Sequence, residues 1–138
     1  MPLNWYKKAN QESEIDSHIN RVLEADMRYP IFITRDYEII DGAHRALRAK
    51  LSGRNMSAII LDQEDLDRVK LLPQSEYSGQ VYEDKAGNKY AVKSIINFFS
   101  RKPYTTMNPD VVLDKSQDVW DNISIQEVME KAQDRLNQ

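Results

Sequence analysis

The chain has 138 residues, of which 41% are hydrophobic and 30% are charged, the composition of an ordinary globular domain. Its net charge of -3 argues against a general affinity for nucleic acid, which requires a basic surface, but leaves room for one local basic site. The absence of cysteine excludes disulfides, thiolate nucleophiles and cysteine-based metal sites. The N-terminal stretch MPLNWYKKANQESE lacks the apolar region of a signal peptide, and no apolar run approaches the roughly 18 residues of a membrane span. We therefore expect a cytoplasmic protein without membrane contact.

The first half of the chain predicts helices and strands in alternation. Residues 1–10 are expected to be irregular, and apolar residues at helical spacing predict a helix over 13–27. The stretches IFIT and YEII predict two short strands, and a helix is expected from residue 42 or 43 to about 52. SAIIL then predicts a third, buried strand, and QEDLDRVKLL predicts a short helix.

The second half predicts a hairpin and a terminal helix. Residues 77–93 have the pattern of a β-hairpin around the polar loop DKAGN. SIINFF is expected to form a short helix or a buried segment, and 101–115 a loop or an extended strap. An amphipathic helix is expected from Ser124, which makes a capping box with Glu127.

Together these elements predict a single α/β (α+β) domain. Helices and strands follow one another along the first half, and a hairpin and a helix complete the second. We expect residues 1–73 to form the core and residues 74–138 to form a C-terminal hairpin and helix extension packed on it.

The stretch IIDGAHRALRA, residues 39–49, is the strongest candidate for a functional site. Gly42 allows a tight turn after a strand, and the free N–H groups of the helix that follows favour an anion. His44 and Arg45 oppose the helix dipole at this end, so they cost helix stability that a bound anion would offset. Arg48 lies one turn beyond His44 and extends the basic face.

Asp41 adds a carboxylate beside these cations. It can bind Mg²⁺, hold His44 in one tautomer or accept a proton. Alternatively, Asp41 is a simple helix N-cap, Gly42 an ordinary turn residue and the arginines part of a solvated face. The residue types alone leave both interpretations open.

The stretch PIFITRDYEIIDGAHRALRAKLSGRNMSAIIL resembles the core of the ParB/sulfiredoxin superfamily. The shared pattern is a Pro-Ile pair, a short strand hairpin, a DG-x-HR turn, an Ala-rich helix, a Gly and a closing strand. The resemblance covers roughly residues 15–62 and is carried by Pro30, Ile31, Asp41, Gly42, His44, Arg45, Ala49, Gly53 and the strand at 57–61. It implies a small ParB/sulfiredoxin-like domain with a mixed sheet.

Members of this superfamily bind nucleotide phosphates at this turn and helix start. The resemblance therefore implies that Gly42, Ala43, His44, Arg45 and Arg48 hold the phosphates of ATP, ADP or CTP. In sulfiredoxins a catalytic cysteine precedes the His-Arg pair, and because Ala43 stands there, sulfiredoxin chemistry is excluded. The partition-protein branch carries Glu-Arg-Arg at the turn, and here no helix-turn-helix follows, so a partition clamp is not expected.

The superfamily also contains small-molecule kinases that keep the DG-x-HR turn. Their catalytic base is a carboxylate from the preceding helical region, where Glu24 and Asp26 stand in this chain. The resemblance thus implies a phosphotransferase or nucleotide hydrolase in which Asp41, His44 and Glu24 are catalytic and Asp41 is the Mg²⁺ ligand.

Three points stay open at the level of the sequence. His18 belongs either to a solvated helix face or, as in sulfiredoxin-like folds, to the part that holds the nucleoside. A nuclease or DNA-binding module is an alternative function, since many members of the superfamily carry the nuclease label. A non-enzymatic phage or mobile-element accessory protein that docks a partner through residues 101–138 is another.

Overall fold

The computed structural model of the chain describes residues 3–115 and 123–138, with side chains from residue 12 onward. Helices and strands alternate along the first half of the chain: α1 (Leu3–Leu23), β1 (Ile31–Thr34), β2 (Ile39–Asp41), α2 (Ala43–Leu51), β3 (Met56–Leu61) and α3 (Gln63–Asp67). A hairpin and further short elements make up the rest: β4 (Val81–Glu83), β5 (Lys89–Ala91), α4 (Val92–Phe99), β6 (Thr105–Met107), α5 (Asp110–Leu113) and α6 (Ile125–Leu136).

The main sheet has four strands in the order β2-β1-β3-β6. The two central strands are parallel, with Ile33 opposite Ile60, whereas β2 and β6 run antiparallel at the two edges. Seven of the ten residues of the central strands are buried and the other three are half-buried, which fits the apolar sequences IFIT and MSAIIL of strands covered on both faces. The hairpin β4–β5 forms a second, two-stranded sheet.

The main sheet separates two apolar layers. Alternate side chains of β1 point to opposite faces, so Ile31 and Ile33 join one cluster and Phe32 joins the other. The first cluster packs the sheet against α1, α2, α5 and α6, and the second packs it against α3, α4 and the hairpin. The mixed sheet, the helices on both faces and the small second sheet confirm the predicted small α+β domain.

Three sequence-based expectations need correction. α1 covers Leu3–Leu23, so residues 3–10 are helical rather than irregular, because no helix-breaking residue separates them from the amphipathic stretch, and the helix ends four residues before the predicted residue 27. The second strand covers Ile39–Asp41 and begins two residues later than YEII suggests, because Tyr37 takes a left-handed turn conformation (φ 67°). Residues 101–115 are not a plain strap, since they contain β6 and α5, and β6 pairs with β3.

Other expectations are confirmed. The hairpin, the helix over SIINFF and the helix after Ser124 form as predicted. The Ser124 hydroxyl accepts a hydrogen bond from the Glu127 N–H at 3.3 Å, but the return hydrogen bond of the predicted capping box does not form among the described residues. Within residues 3–115 and 123–138, no helix is both long and apolar enough to cross a membrane.

Gly42 and Gly53 provide a matched test of the turn before α2. A Cβ on Gly42 (φ +108°) would lie 2.5 Å from Cγ2 of Ile31, whereas a Cβ on Gly53 (φ +64°) would meet no atom within 4 Å. Gly42→Ala should therefore lower the free energy of unfolding by about 3–5 kcal/mol, from backbone strain and overpacking together. Gly53→Ala carries only the left-handed penalty of about 1–2 kcal/mol. Urea unfolding of both variants measures the difference, and equal losses would contradict the close packing at Gly42.

Candidate functional site

The DGAHR turn joins β2 to α2 and packs against the start of β1. Asp41 ends β2 opposite Phe32, and Gly42 is the N-cap of α2 without a side-chain capping hydrogen bond. Asp41 is therefore not the helix N-cap, one of the two alternatives that the sequence left open. No side chain caps the first N–H groups of α2, so the positive end of the helix dipole faces the turn without a capping acceptor.

Arg45 is anchored on the same side of α2 as Asp41. Its Nη2 donates to Oδ2 of Asp41 at 3.2 Å and to the carbonyl oxygen of Pro30 at 3.1 Å. Both side chains of this ion pair are only 21% exposed. The buried Nε of Arg45 has no acceptor among the residues that the structure describes, and neither does Nη1. The guanidinium is thus held in one orientation while part of its donor capacity stays unused.

A cavity of about 290 Å³ opens beside this ion pair. Its polar wall is made of Asp41, Arg45 and Ser100, and its apolar wall is made of Tyr29, Pro30, Phe32 and Ile96. Tyr29 is 61% exposed at the rim, and the guanidinium of Arg28 lies over its ring, 5.9 Å from the centroid. A cation and a carboxylate therefore face an aromatic wall across a space that suits a small ligand.

His44 lies on another face of α2 and contacts α1. Its Nε2 is 2.8 Å from Nδ1 of His18, and the two rings are nearly parallel with centroids 5.1 Å apart. These are the only two histidines of the chain. The contact settles the position of His18, whose side chain packs between the helices instead of lying on a solvated face.

Burial and neighbouring positive charge keep both imidazoles neutral. The pKa of His44 is lowered to about 4, mainly by burial and further by His18, Arg21 and Arg45. The pKa of His18 is also lowered by burial and by Arg21, and Glu14 offsets part of this shift. A neutral pair shares one N–H···N hydrogen bond, so His44 is a weak counter-charge for an anion at neutral pH.

The remaining predicted site residues are dispersed. Ala43 is buried in the cluster beneath α2, and Arg48 makes no hydrogen bond or ion pair with any described residue. Glu24 is exposed and likewise makes no side-chain contact of this kind within the described part of the chain. Asp26 binds Arg28 through both carboxylate oxygens, at 2.7 and 2.9 Å, and these hydrogen bonds lower its pKa to about 2.

The turn therefore points its functional groups in two directions. Asp41 and Arg45 are four residues apart and face the cavity, whereas His44 is turned by about 100° toward α1. The cavity wall also contains residues that the sequence did not single out, among them Tyr29, Ile96 and Ser100. Of these residues, only Tyr29 could have been suspected from the sequence, as an aromatic residue directly before Pro30.

No group of three or more histidine, aspartate or glutamate side chains that could hold a metal ion occurs among the described residues.

Comparison with known proteins adds no relative: no family model matches the chain, and neither a curated protein nor a solved structure matches it significantly. The resemblance to the ParB/sulfiredoxin superfamily stays a prediction that rests on the sequence pattern around the turn.

The His18–His44 pair should make the fold sensitive to acid. In the unfolded chain the His44 imidazole has its ordinary pKa of 6.5, so below pH 6.5 the unfolded chain binds more protons than the native state. The free energy of unfolding therefore keeps the contribution of this pair above pH 6.5 and loses it as the pH falls toward 4. Because His44 is only partly buried, solvent screening keeps its contribution below the full value of the pKa shift. We expect the free energy of unfolding to fall less steeply in His44→Gln than in the wild type over this range.

Proton NMR provides the direct measurement, because two imidazole C2–H signals represent every histidine of the chain. We expect at least one signal to titrate well below pH 6 in the folded protein and both to titrate near 6.5 in urea. Two folded-state midpoints near 6.5 would show that the contact does not hold the rings neutral.

Proposed function

We propose that the chain binds a nucleotide through its phosphates at the cavity beside Asp41 and Arg45, and that it performs phosphoryl transfer or nucleotide hydrolysis there. The observation that carries the proposal is the guanidinium of Arg45, fixed by Asp41 and the Pro30 carbonyl at the wall of a small-ligand cavity. A preoriented cation with unused donors is the group that a phosphate requires.

The hydrogen bonds of Arg45 support a phosphate as its missing partner. Nη2 is occupied, but Nε and Nη1 have no acceptor among the described residues. Nη1 is the donor left for a phosphate oxygen, because the N–H of Nε points to the edge of the guanidinium plane that it shares with the occupied Nη2. The uncapped amino end of α2 adds favourable dipole potential.

The apolar wall supports a nucleoside rather than a bare phosphate. Tyr29 and Phe32 offer aromatic surface within the same cavity, and Tyr29 is exposed enough to stack on a base. The resemblance to the ParB/sulfiredoxin superfamily implies ATP, ADP or CTP, and the apolar wall is compatible with each because every base has an aromatic face.

Asp41 is the residue best placed for chemistry in this proposal. It is the carboxylate that lines the cavity, and it can accept a proton or serve as the single protein ligand of a Mg²⁺ that also binds the phosphates. Mg²⁺ would supply charge neutralisation on the phosphates. His44 is then a structural residue that anchors α2 to α1, and Glu24 stays a predicted base without a contact to the cavity.

Matched Arg-to-Lys substitutions on two faces of α2 test the proposal. Arg45→Lys keeps the charge but removes the planar guanidinium that can bind Asp41 and a phosphate oxygen at the same time, so nucleotide affinity should fall about 10-fold or more. Arg48→Lys is the same chemical change on the His44 face and should leave the affinity within twofold of the wild type. Calorimetric titration with ATP, ADP and CTP, each with and without Mg²⁺, measures both variants.

The reaction is tested separately with Asp41→Asn. We expect this variant to retain nucleotide binding without Mg²⁺ and to lose phosphate release or transfer. The proposal fails if none of the three nucleotides binds the wild type, or if Arg48→Lys weakens binding as much as Arg45→Lys does. Affinity for DNA that persists at physiological salt would instead favour the nuclease alternative.

A further inference from the structure

A second cavity lies at the other end of β1, away from Asp41 and Arg45. The parallel strands β1 and β3 end at Thr34 and Leu61, and both residues line a cavity of about 330 Å³. The β1–β2 turn, the start of α3 and the β4–β5 loop complete its walls. Space beyond the carboxyl ends of parallel strands is a frequent ligand position in α/β proteins.

The lining of this cavity combines an apolar floor with an excess of carboxylates. Leu61 and Leu66 are almost fully buried and form the floor. Four carboxylates and only two cations surround it: Asp36, Glu38, Asp62 and Asp84 against Arg35 and Lys85. The net negative charge favours a cationic ligand, and the two leucines close the bottom of the cavity.

Glu38 is the best-oriented acceptor of the cavity. The hydroxyl of Tyr82 donates to its Oε2 at 2.9 Å, and the Glu38 side chain is only 24% exposed. Burial and this hydrogen bond raise the pKa of Tyr82 well above its usual range, so the phenol remains a donor at every physiological pH. The carboxylate of Glu38 is therefore held in place across the gap between the two sheets.

Lys85 shows what kind of group fits beside Glu38. Its Nζ lies 3.3 Å from Oε1 of Glu38, although the Lys85 side chain is 91% exposed. An ion pair with so exposed a partner contributes only about 0–1 kcal/mol. The second cation is placed similarly, since the 73%-exposed Arg35 lies 3.6 Å from Asp62. A primary ammonium group is thus stereochemically acceptable at Glu38 and is weakly held there.

We propose that this cavity binds a primary alkylammonium group, whose nitrogen replaces Nζ of Lys85 beside Glu38 and whose alkyl chain lies in the cavity. The chemistry is shared by a free amine and by a lysine side chain of another protein. An ammonium group is favoured over a metal ion because the carboxylates are too dispersed, within the described residues, to form a cluster of metal ligands.

The test is calorimetric titration of the intact chain with 1,5-diaminopentane, and with 1,5-pentanediol as the uncharged control, at constant ionic strength. We expect saturable binding of the diamine and none of the diol. Glu38→Gln should weaken diamine binding about 10-fold or more, because a charge-assisted hydrogen bond is lost. Lys85→Ala should tighten it about 2- to 5-fold, because the internal competitor is removed.

Glu76→Gln is the matched control, since it removes an exposed carboxylate outside the cavity and should leave diamine affinity unchanged. If Glu38→Gln fails to fold, Lys85→Ala still tests the proposal. The Lys85 side chain is almost fully exposed, so its removal should not disturb folding. The proposal is overturned if the diamine does not bind, if the diol binds equally, or if Lys85→Ala fails to tighten binding.

A further titration with Nα-acetyl-lysine N-methylamide distinguishes the two sources of the ammonium group. Tighter binding of this compound than of the diamine assigns the cavity to a lysine side chain of a partner. Weaker binding assigns it to a free amine, and either result supports the ammonium site.

Discussion

The close contact between Gly42 and Ile31 is the constraint on which the rest of the site depends. No side chain fits between the turn and β1, and the backbone at Gly42 adopts φ +108°. This contact places the amino end of α2 directly against the start of β1. The helix can then direct Arg45 toward the Pro30 carbonyl and His44 toward α1, so one glycine determines the orientation of both groups.

That orientation divides a sequence motif into two parts with different physical roles. Arg45 and Asp41 form the polar wall of a cavity, and Nε and Nη1 of Arg45 have no acceptor among the described residues. His44 and His18 form a neutral, partly buried contact that joins α1 to α2. Neighbouring residues of a short motif therefore need not converge on one ligand, because successive side chains of a helix are about 100° apart.

The sequence predicted local features better than long-range ones. The turn, α2, the central strands and the hairpin follow from short patterns of apolar residues and glycine, which act within a few positions. The contact of His18 with His44 spans 26 positions, and the cavity joins Tyr29 to Ser100, so neither is encoded in a local pattern. β6 was missed because three residues, TTM, carry too little periodicity to indicate a strand.

The edges of the main sheet bear on self-association. Both edge strands, β2 and β6, are only three residues long, and the pairing of β2 with β1 is irregular between Phe32 and Ile33. Pro103 and Pro109 flank β6 and lack the N–H that a further strand would need. Short, interrupted edges offer another chain very few backbone hydrogen bonds, so this sheet is poorly suited to growing by strand addition.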